Sequence, residues 1–367
     1  MTHPSLGSRV DAFAYYLPQF YPVALNSRWW GEGYTEWNAV VRAQRGSRSP
    51  RHTTLTPGEL GFYDLRLTET RRRQAELARA SGLAAFCIYH YYSAGEHMLP
   101  DVVDAILNDG EPDFPFFFCW ANHDWTLAWQ GKPEVTTWKQ EYDESRVDDH
   151  FLWLLEAFND GRYFKIGESP VVAIYDPEAI PAILTVLGRW RELAYQSGHS
   201  GLVILGIAHS ASPRPTSEVG IDAWVQAAGP ALNTISTWHR ILPELMTPGR
   251  MWRFLRYRDY HIGSHRLSSL LKKSRADLST LQVPLAISSW NNVGRRHRRA
   301  WYFVSDSDEF ESSLRDACAD APTIHSSDGA RRLVAINAWN EWGESMTVEP
   351  SHEHGDAMLS AMHRVLG

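Results

Sequence analysis

The sequence predicts an α/β fold: a single (β/α)8 TIM-type barrel with long loops after strands 1 and 6, residues 1–367 forming one domain. Three observations carry this expectation. Eight short apolar runs recur along the 367 residues, stretches with helical periodicity fill many of the gaps between them, and no internal repeat or low-complexity linker divides the chain.

The strands are expected at residues 12–17, 84–89, 114–119, 171–175, 202–207, 223–227, 285–289 and 333–338. Several are apolar at nearly every position, as parallel strands buried on both faces must be. Helices are expected at 69–81, 101–108, 146–158, 182–196 and 309–319, with a closing helix at 356–366. Each carries apolar residues three and four apart, which places them on one face of a helix. Two connections are too long for simple crossovers. Residues 18–68 are rich in Trp and Gly, and residues 230–282 are rich in Arg around 250–258. Insertions of that size in a compact domain are functional or disordered, and the tryptophans of the first argue for function.

Composition narrows the partners. The formal net charge is −7 and the pI about 6.1, so no overall basic field favours nucleic acid. The start of the chain lacks a basic segment followed by an apolar one, and no run of about 18 apolar residues occurs, so neither a secretory leader nor membrane insertion is expected. Cys87, Cys119 and Cys318 are odd in number, and the first two lie within apolar runs. They read as reduced thiols of a cytoplasmic protein. With 16 Trp, 15 Tyr and 14 Phe, the aromatic content exceeds what a core alone asks for. An indole N–H needs a partner when buried, so Trp beside polar residues points to a wet, aromatic-lined cleft. Sugar rings, with apolar C–H faces and polar rims, fit such a cleft, and an oligo- or polysaccharide is the expected partner.

The chemistry is expected on the segment from Asn337 to Pro350, just past the last strand, because in these barrels that end of the sheet holds the active site. Glu341 and Glu344 are the candidate catalytic pair. Glycoside hydrolysis needs one carboxyl to protonate the departing oxygen and another to act as nucleophile or base. Packing against Trp would desolvate one of them and suit it to proton donation. The other strand ends supply the candidate substrate-binding residues: Tyr16, Gln19, His90, Tyr91, Trp120, Asn122, His123, Trp125, Tyr175, Trp290 and Asn291. Trp30, Glu36 and Trp37 from the first long connection join them, as do Trp339, Asn340, Trp342 and Glu349 around the acid pair. The run from Gly294 to Arg299 reads as a solvated face, or alternatively as a phosphate or carboxylate site on the loop after strand 7. His352 and His354 lack a third ligand nearby, so no metal is expected. No glycine-rich phosphate loop stands between strand and helix, so no cofactor is expected either.

The motifs YYLPQFYP (15–22), WWGEGYTEW (29–37), PGELGFYDLR (57–66), YHYY (89–92), FPFFFCWANHDW (114–125) and NEWGESMTVEP (340–350) occur in this order. In this the chain resembles the WbsX-like polysaccharide-biosynthesis proteins, a group similar to glycoside hydrolase family 99. The resemblance runs from about Phe13 to the C-terminus. It implies a (β/α)8 barrel and an endo-acting, retaining glycoside hydrolase chemistry. In it the acid at Glu341 would assist the substrate 2-hydroxyl through an anhydrosugar, and the acid at Glu344 would be the general acid/base. Four positions depart from the family pattern. His123 and Asp124 replace Glu and Asn, Asn291 replaces Asp, and Ser345 replaces Gly. Two further readings stand beside hydrolysis: glycosyl transfer in O-antigen or capsule assembly, and glycan binding without catalysis.

Overall fold

Parallel pairing runs through the centre of the protein. The computed structural model describes residues 9–45, 54–127, 132–210, 212–229, 251, 260–261, 264–276, 280–291 and 301–367. Its main sheet follows β1 (Val10–Tyr16), β2 (Ala85–Ser93), β3 (Phe116–Trp120), β4 (Ser169–Ile174), β5 (Val203–Ile207), β6 (Ala223–Val225), β7 (Gln282–Val283), β8 (Leu285–Ile287) and β9 (Ala330–Asn337). The order across the sheet is β7-β6-β5-β4-β3-β2-β1-β9-β8, every neighbour parallel. The two end strands, β7 and β8, are separated only by Pro284. Proline has no N–H to give to a ladder and so interrupts it. The Pro284 carbonyl still accepts from Ala335 N at 2.9 Å, while Val283 O accepts from Gln226 N at 3.0 Å. One short run therefore touches both margins of a curled sheet.

The result is a mixed α/β fold. Helices α1 (Ala24–Trp30) and α2 (Glu36–Arg45) lie between β1 and α3 (Thr68–Ala80); α4 (Pro100–Asp109), α5 (Val147–Phe158), α6 (Ile183–Gln196), α7 (Ser264–Ala276), α8 (Ser307–Ala319) and α9 (Ala357–Leu366) follow. The periodic apolar faces go inward as spacing demands. Phe151, Leu154 and Phe158 of α5, Leu187 and Trp190 of α6, and Phe310, Leu314 and Ala317 of α8 are all buried. Local signals set several ends. Asp306 accepts from Glu309 N at 2.9 Å to cap α8. Pro100 opens α4, and Gly110 closes it at φ 70°, a left-handed conformation that favours glycine.

The expected strands and helices fall within a few residues of these elements. The expected seventh strand, 285–289, is instead β8 together with part of a separate strand, Ser289–Asn291, that pairs antiparallel with Trp301–Val304. The long connection after β1 carries α1 and α2. Most of the connection after β6 lies outside the described residues, as do the arginines between 250 and 258 and the run 294–299. Cys87, Cys119 and Cys318 are free thiols. Among the described residues no helix is long and apolar enough to cross a membrane.

One glycine in the sheet is required by close packing. A Cβ on Gly206 of β5 would meet Ile221 Cδ1 at 2.8 Å and both Pro177 Cγ and Trp224 Cζ3 at 3.0 Å. The isoleucine tip can turn aside, but the proline ring and the buried indole cannot. Gly206→Ala is expected to lower stability by about 1–3 kcal/mol, as overpacking does, measured as the shift in urea midpoint at unchanged m-value.

Candidate active site

The strands all run the same way, so their C-terminal ends gather on one side of the sheet. There they surround a cavity of about 510 Å³. Tyr15 of β1, Tyr89 and Tyr91 of β2, His123 after β3, Tyr175 after β4, His209 after β5, Gln226 after β6, and Trp290 and Asn337 near β8 and β9 all line it. The loop after β1 adds Gln19, Asn26, Trp30, Tyr34 and Glu36. Glu341 and Glu344 line the same cavity.

The two acids sit on a tightly held hairpin. Asn340–Glu341 pairs antiparallel with Met346–Thr347, and a 3-10 turn, Trp342–Glu344, joins them. Side chains grip its backbone from several directions. Asn340 clamps Leu17 by accepting from its N at 2.7 Å and donating to its O at 3.1 Å. Thr347 Oγ1 donates to Trp339 O at 2.7 Å, and Ser288 Oγ to Thr347 O at 2.9 Å. Ser289 Oγ donates to Ser345 O. Ser345 stands where the family pattern has glycine, and its φ is 51°, in the left-handed region glycine favours. Its hydroxyl accepts from Leu55 N at 3.2 Å, a contact glycine could not make.

Each acid has its own surroundings. Glu344 Oε2 accepts the Trp290 indole N–H at 2.7 Å. Glu341 lies amid phenols: its charge helps hold Tyr15, Tyr89, Tyr91 and Tyr175 above the ordinary tyrosine range, with burial the larger cause in each. Tyr15 and Tyr89 stack at 5.6 Å with planes 8° apart, and the buried Tyr15 hydroxyl has no hydrogen-bond partner among the described residues. Gln19 Nε2 donates to Tyr91 OH at 2.7 Å, and Trp125 meets the Tyr91 ring edge-on at 5.0 Å. Trp30 stacks on Tyr34 at 5.4 Å. Tyr175 lies between the rings of His123 at 4.7 Å and His209 at 4.3 Å, and His209 Nε2 donates to Tyr175 O at 2.7 Å. Such a cavity offers flat apolar faces beside polar edges, with two carboxyl-bearing residues on its wall.

Ten of the expected residues therefore reach the cavity: Glu341, Glu344, Gln19, Trp30, Glu36, Tyr91, His123, Trp125, Tyr175 and Trp290. The other ten are placed elsewhere, which corrects the sequence expectation. Tyr16 points away and donates to Gln74 Oε1 of α3 at 2.8 Å. Trp37 donates to Tyr63 O at 2.7 Å. His90 faces α5, its Nε2 3.0 Å from His150 Nε2, and burial keeps both imidazoles well below the usual pKa. Trp120 donates to Tyr92 O at 2.9 Å. Asn122 ties down Asp176, donating to its O at 2.6 Å and accepting from its N at 2.7 Å. Asn291, Trp339 and Asn340 are buried off the cavity wall. Trp342 turns from the acids flanking it and donates to Glu349 Oε2 at 2.6 Å. Glu349 itself is 2% exposed and accepts also from Gln74 Nε2 at 2.6 Å and Tyr63 OH at 2.8 Å.

The physical reason is strand parity. Successive side chains on a strand face opposite ways, and strands buried on both faces carry no polar alternation to say which way. Tyr15 rather than Tyr16, and Tyr89 rather than His90, face the cavity. Once Tyr91 is placed inward, its neighbour two residues back follows, and that was the available signal for Tyr89. Tyr34, Asp124, His209 and Gln226 also line the cavity and lie in loops with no such rule; Asn26 of α1 and Thr126 and Thr137 of a short antiparallel pair, Trp125–Leu127 with Lys132–Trp138, line it too. Among the described residues no three His, Cys, Asp or Glu side chains are grouped to hold a metal.

Known proteins resemble this chain at two levels. The family model described as Glycosyltransferase WbsX matches residues 12–362. Two curated relatives, both an uncharacterized protein WxcX of Xanthomonas campestris pv. campestris, are 30% identical over 96% of this chain and 49% of their own length. The chain thus spans about half the length of the curated relatives it matches. Among solved structures, a glycoside hydrolase-like protein superposes with TM-score 0.61 at 16% identity, covering 100% of this chain and 96% of its own. A family 99 endo-alpha-mannosidase from Bacteroides thetaiotaomicron gives TM-score 0.54 at 13% identity, covering 97% and 96%. The fold is glycoside hydrolase-like.

Burial pushes the Glu349 carboxyl from its ordinary 4.5 up to about 7, against the pull of its hydrogen-bond donors. The folded protein then holds this proton where the unfolded chain has released it, so stability from this group is full below about pH 4.5 and is lost as pH rises through about 7. The difference in unfolding free energy between wild type and Glu349→Gln is expected to change by about 3 kcal/mol across that window, read from denaturant melts at pH 4.5 and 8.

Proposed function

The chain belongs to the Glycosyltransferase WbsX family, and on that premise we propose that it is a glycoside hydrolase-like enzyme, retaining and endo-acting, that cleaves glycosidic bonds in a cell-surface polysaccharide or its precursor. In this reading the curled sheet is a closed (β/α)8 barrel and the chain one catalytic domain. The observation that supports it is that Glu341 and Glu344 face one aromatic-lined cavity from a single rigid hairpin.

Glu344, oriented by the Trp290 indole, protonates the departing glycosidic oxygen and afterwards takes a proton from water. Glu341 assists attack at the anomeric carbon, through the 2-hydroxyl where that group is suitably placed. Each carboxyl then performs the half-reaction that the other cannot, which is the logic of paired-acid glycoside cleavage. Trp30, Tyr91 and Trp125 offer faces for sugar rings, and Gln19, Glu36, His123 and Tyr175 offer hydrogen bonds to hydroxyls. Glycosyl transfer is the second reading, favoured by the description the family carries; it uses the same pair on an activated donor.

The test is incubation of the purified chain with a panel of bacterial polysaccharides and no added donor, read for new reducing ends. Hydrolysis is expected, and Glu344→Gln and Glu341→Gln should each lower its rate by about 100-fold or more. Turnover only with a nucleotide-linked or lipid-linked sugar would replace hydrolysis by transfer. Glycan binding without turnover, unchanged in both variants, would overturn the enzymatic reading.

A further inference from the structure

The cavity explains what Glu341 and Glu344 face, but the turn between them is held from behind. Trp342, the residue after one acid and two before the other, is fully buried, and its only polar atom donates to Glu349 Oε2 at 2.6 Å. Glu349 is anchored on the returning arm of the same hairpin, where its N donates to Thr347 Oγ1 at 3.1 Å. Gln74 of α3 and Tyr63 donate to the same carboxyl, and the Trp339 indole also acts to lower its pKa. We propose that Glu349 is the positioning residue of the acid pair: by gripping the Trp342 indole it fixes the 342–344 turn, and its ionisation changes that grip, so Glu344 is tuned by an acid outside the cavity. As a statement about catalysis this rests on the proposed function.

The donor inventory says how the change is transmitted. An indole N–H only donates. The Gln74 amide nitrogen also only donates, and its oxygen is committed to Tyr16 OH. A proton arriving on Oε1 would therefore confront Gln74 Nε2. On Oε2 it can point to Tyr63, whose hydroxyl oxygen can accept. Oε2 is also the atom that receives Trp342. Protonation thus turns a charge-assisted bond to the indole into a neutral one of roughly half the strength. The other ionisable groups facing the carboxyl are Tyr16 on β1 and Tyr63 before α3; Arg71 on α3 acts on Tyr16. Burial, with the Glu349 charge, holds both phenols well above their ordinary range. The Arg71 guanidinium is taken up by Asp109 and by the Leu65 and Arg66 carbonyls. Glu349 is left as the group of this cluster that changes charge near neutrality.

The experiment follows the indole N–H resonances of ¹⁵N-tryptophan-labelled protein from pH 5.5 to 8.5, with Trp342 and Trp290 assigned from Trp342→Phe and Trp290→Phe. The Trp342 signal is expected to titrate with a midpoint near 7. The Trp290 signal, which reports the bond to Glu344, should move with the same midpoint, and both transitions should vanish in Glu349→Gln. Tyr63→Phe, a near-isosteric change, removes a hydrogen-bond partner of both forms of the carboxyl and should shift both midpoints together, which keeps the test informative if Glu349→Gln does not fold. A Trp290 signal that stays flat, or that titrates independently of Glu349, would reduce Glu349 to a structural group. So would a Trp342 signal that never titrates. None of these readings needs turnover, so they stand apart from success or failure of the hydrolase assay. Where turnover is found, Glu349→Gln should lower kcat about 10-fold with KM nearly unchanged and remove one limb of the pH profile.

Discussion

Parallel strand pairing is the constraint on which the rest of this molecule depends. Because the nine strands along the path of the main sheet run the same way, their C-terminal ends gather on one side, and residues far apart in sequence must meet there. Tyr15, Tyr89, Tyr175 and Glu341 belong to four different strand ends yet share one cavity. No local feature of any one segment could have brought them together. The prolines and short polar side chains at the margins then refine what pairing imposes: Pro284 breaks a run into two halves that serve opposite edges, and Asn340 locks the hairpin that carries Glu341 and Glu344 to the loop after β1.

The residues near the site divide into those that face an occupant and those that hold the first group in place. Phenols, indoles and carboxyls line the cavity, while behind them a buried polar network joins Tyr16, Gln74, Glu349, Tyr63 and Trp342. Buried polar groups must be paired to be tolerated, and a fully paired network is stiff. Burial raises the Glu349 carboxyl, and that residue, sealed among Tyr and Trp, is in this second group.

Much of this was legible in the sequence. Uninterrupted apolar runs announce strands covered on both faces, and the spacing of Phe151, Leu154 and Phe158 announces a helix. Being just past the last run placed Glu341 and Glu344 at the right end of the sheet. The direction of each side chain was not legible. His90 and Tyr91 are adjacent and equally buried, and nothing in their neighbourhood says that one packs on α5 and the other on the cavity. Trp342 was harder still, because flanking acids on both sides argued for exposure while a carboxylate seven residues later turned it inward. Loop residues such as His209 carry no periodicity at all.

The register Val10↔Arg332 has a consequence for how the protein is made. β1 leaves the ribosome long before β9, beside which it lies, so through that interval β1 has a partner on one side only. Its open edge presents unpaired N–H and C=O groups to any passing strand. The same holds for β6, whose outer neighbour, Gln282–Val283, arrives more than fifty residues later. Nascent chains halted before residue 282 would carry two such exposed margins, and shielding by chaperones during that interval matters more for this topology than for one built from local hairpins.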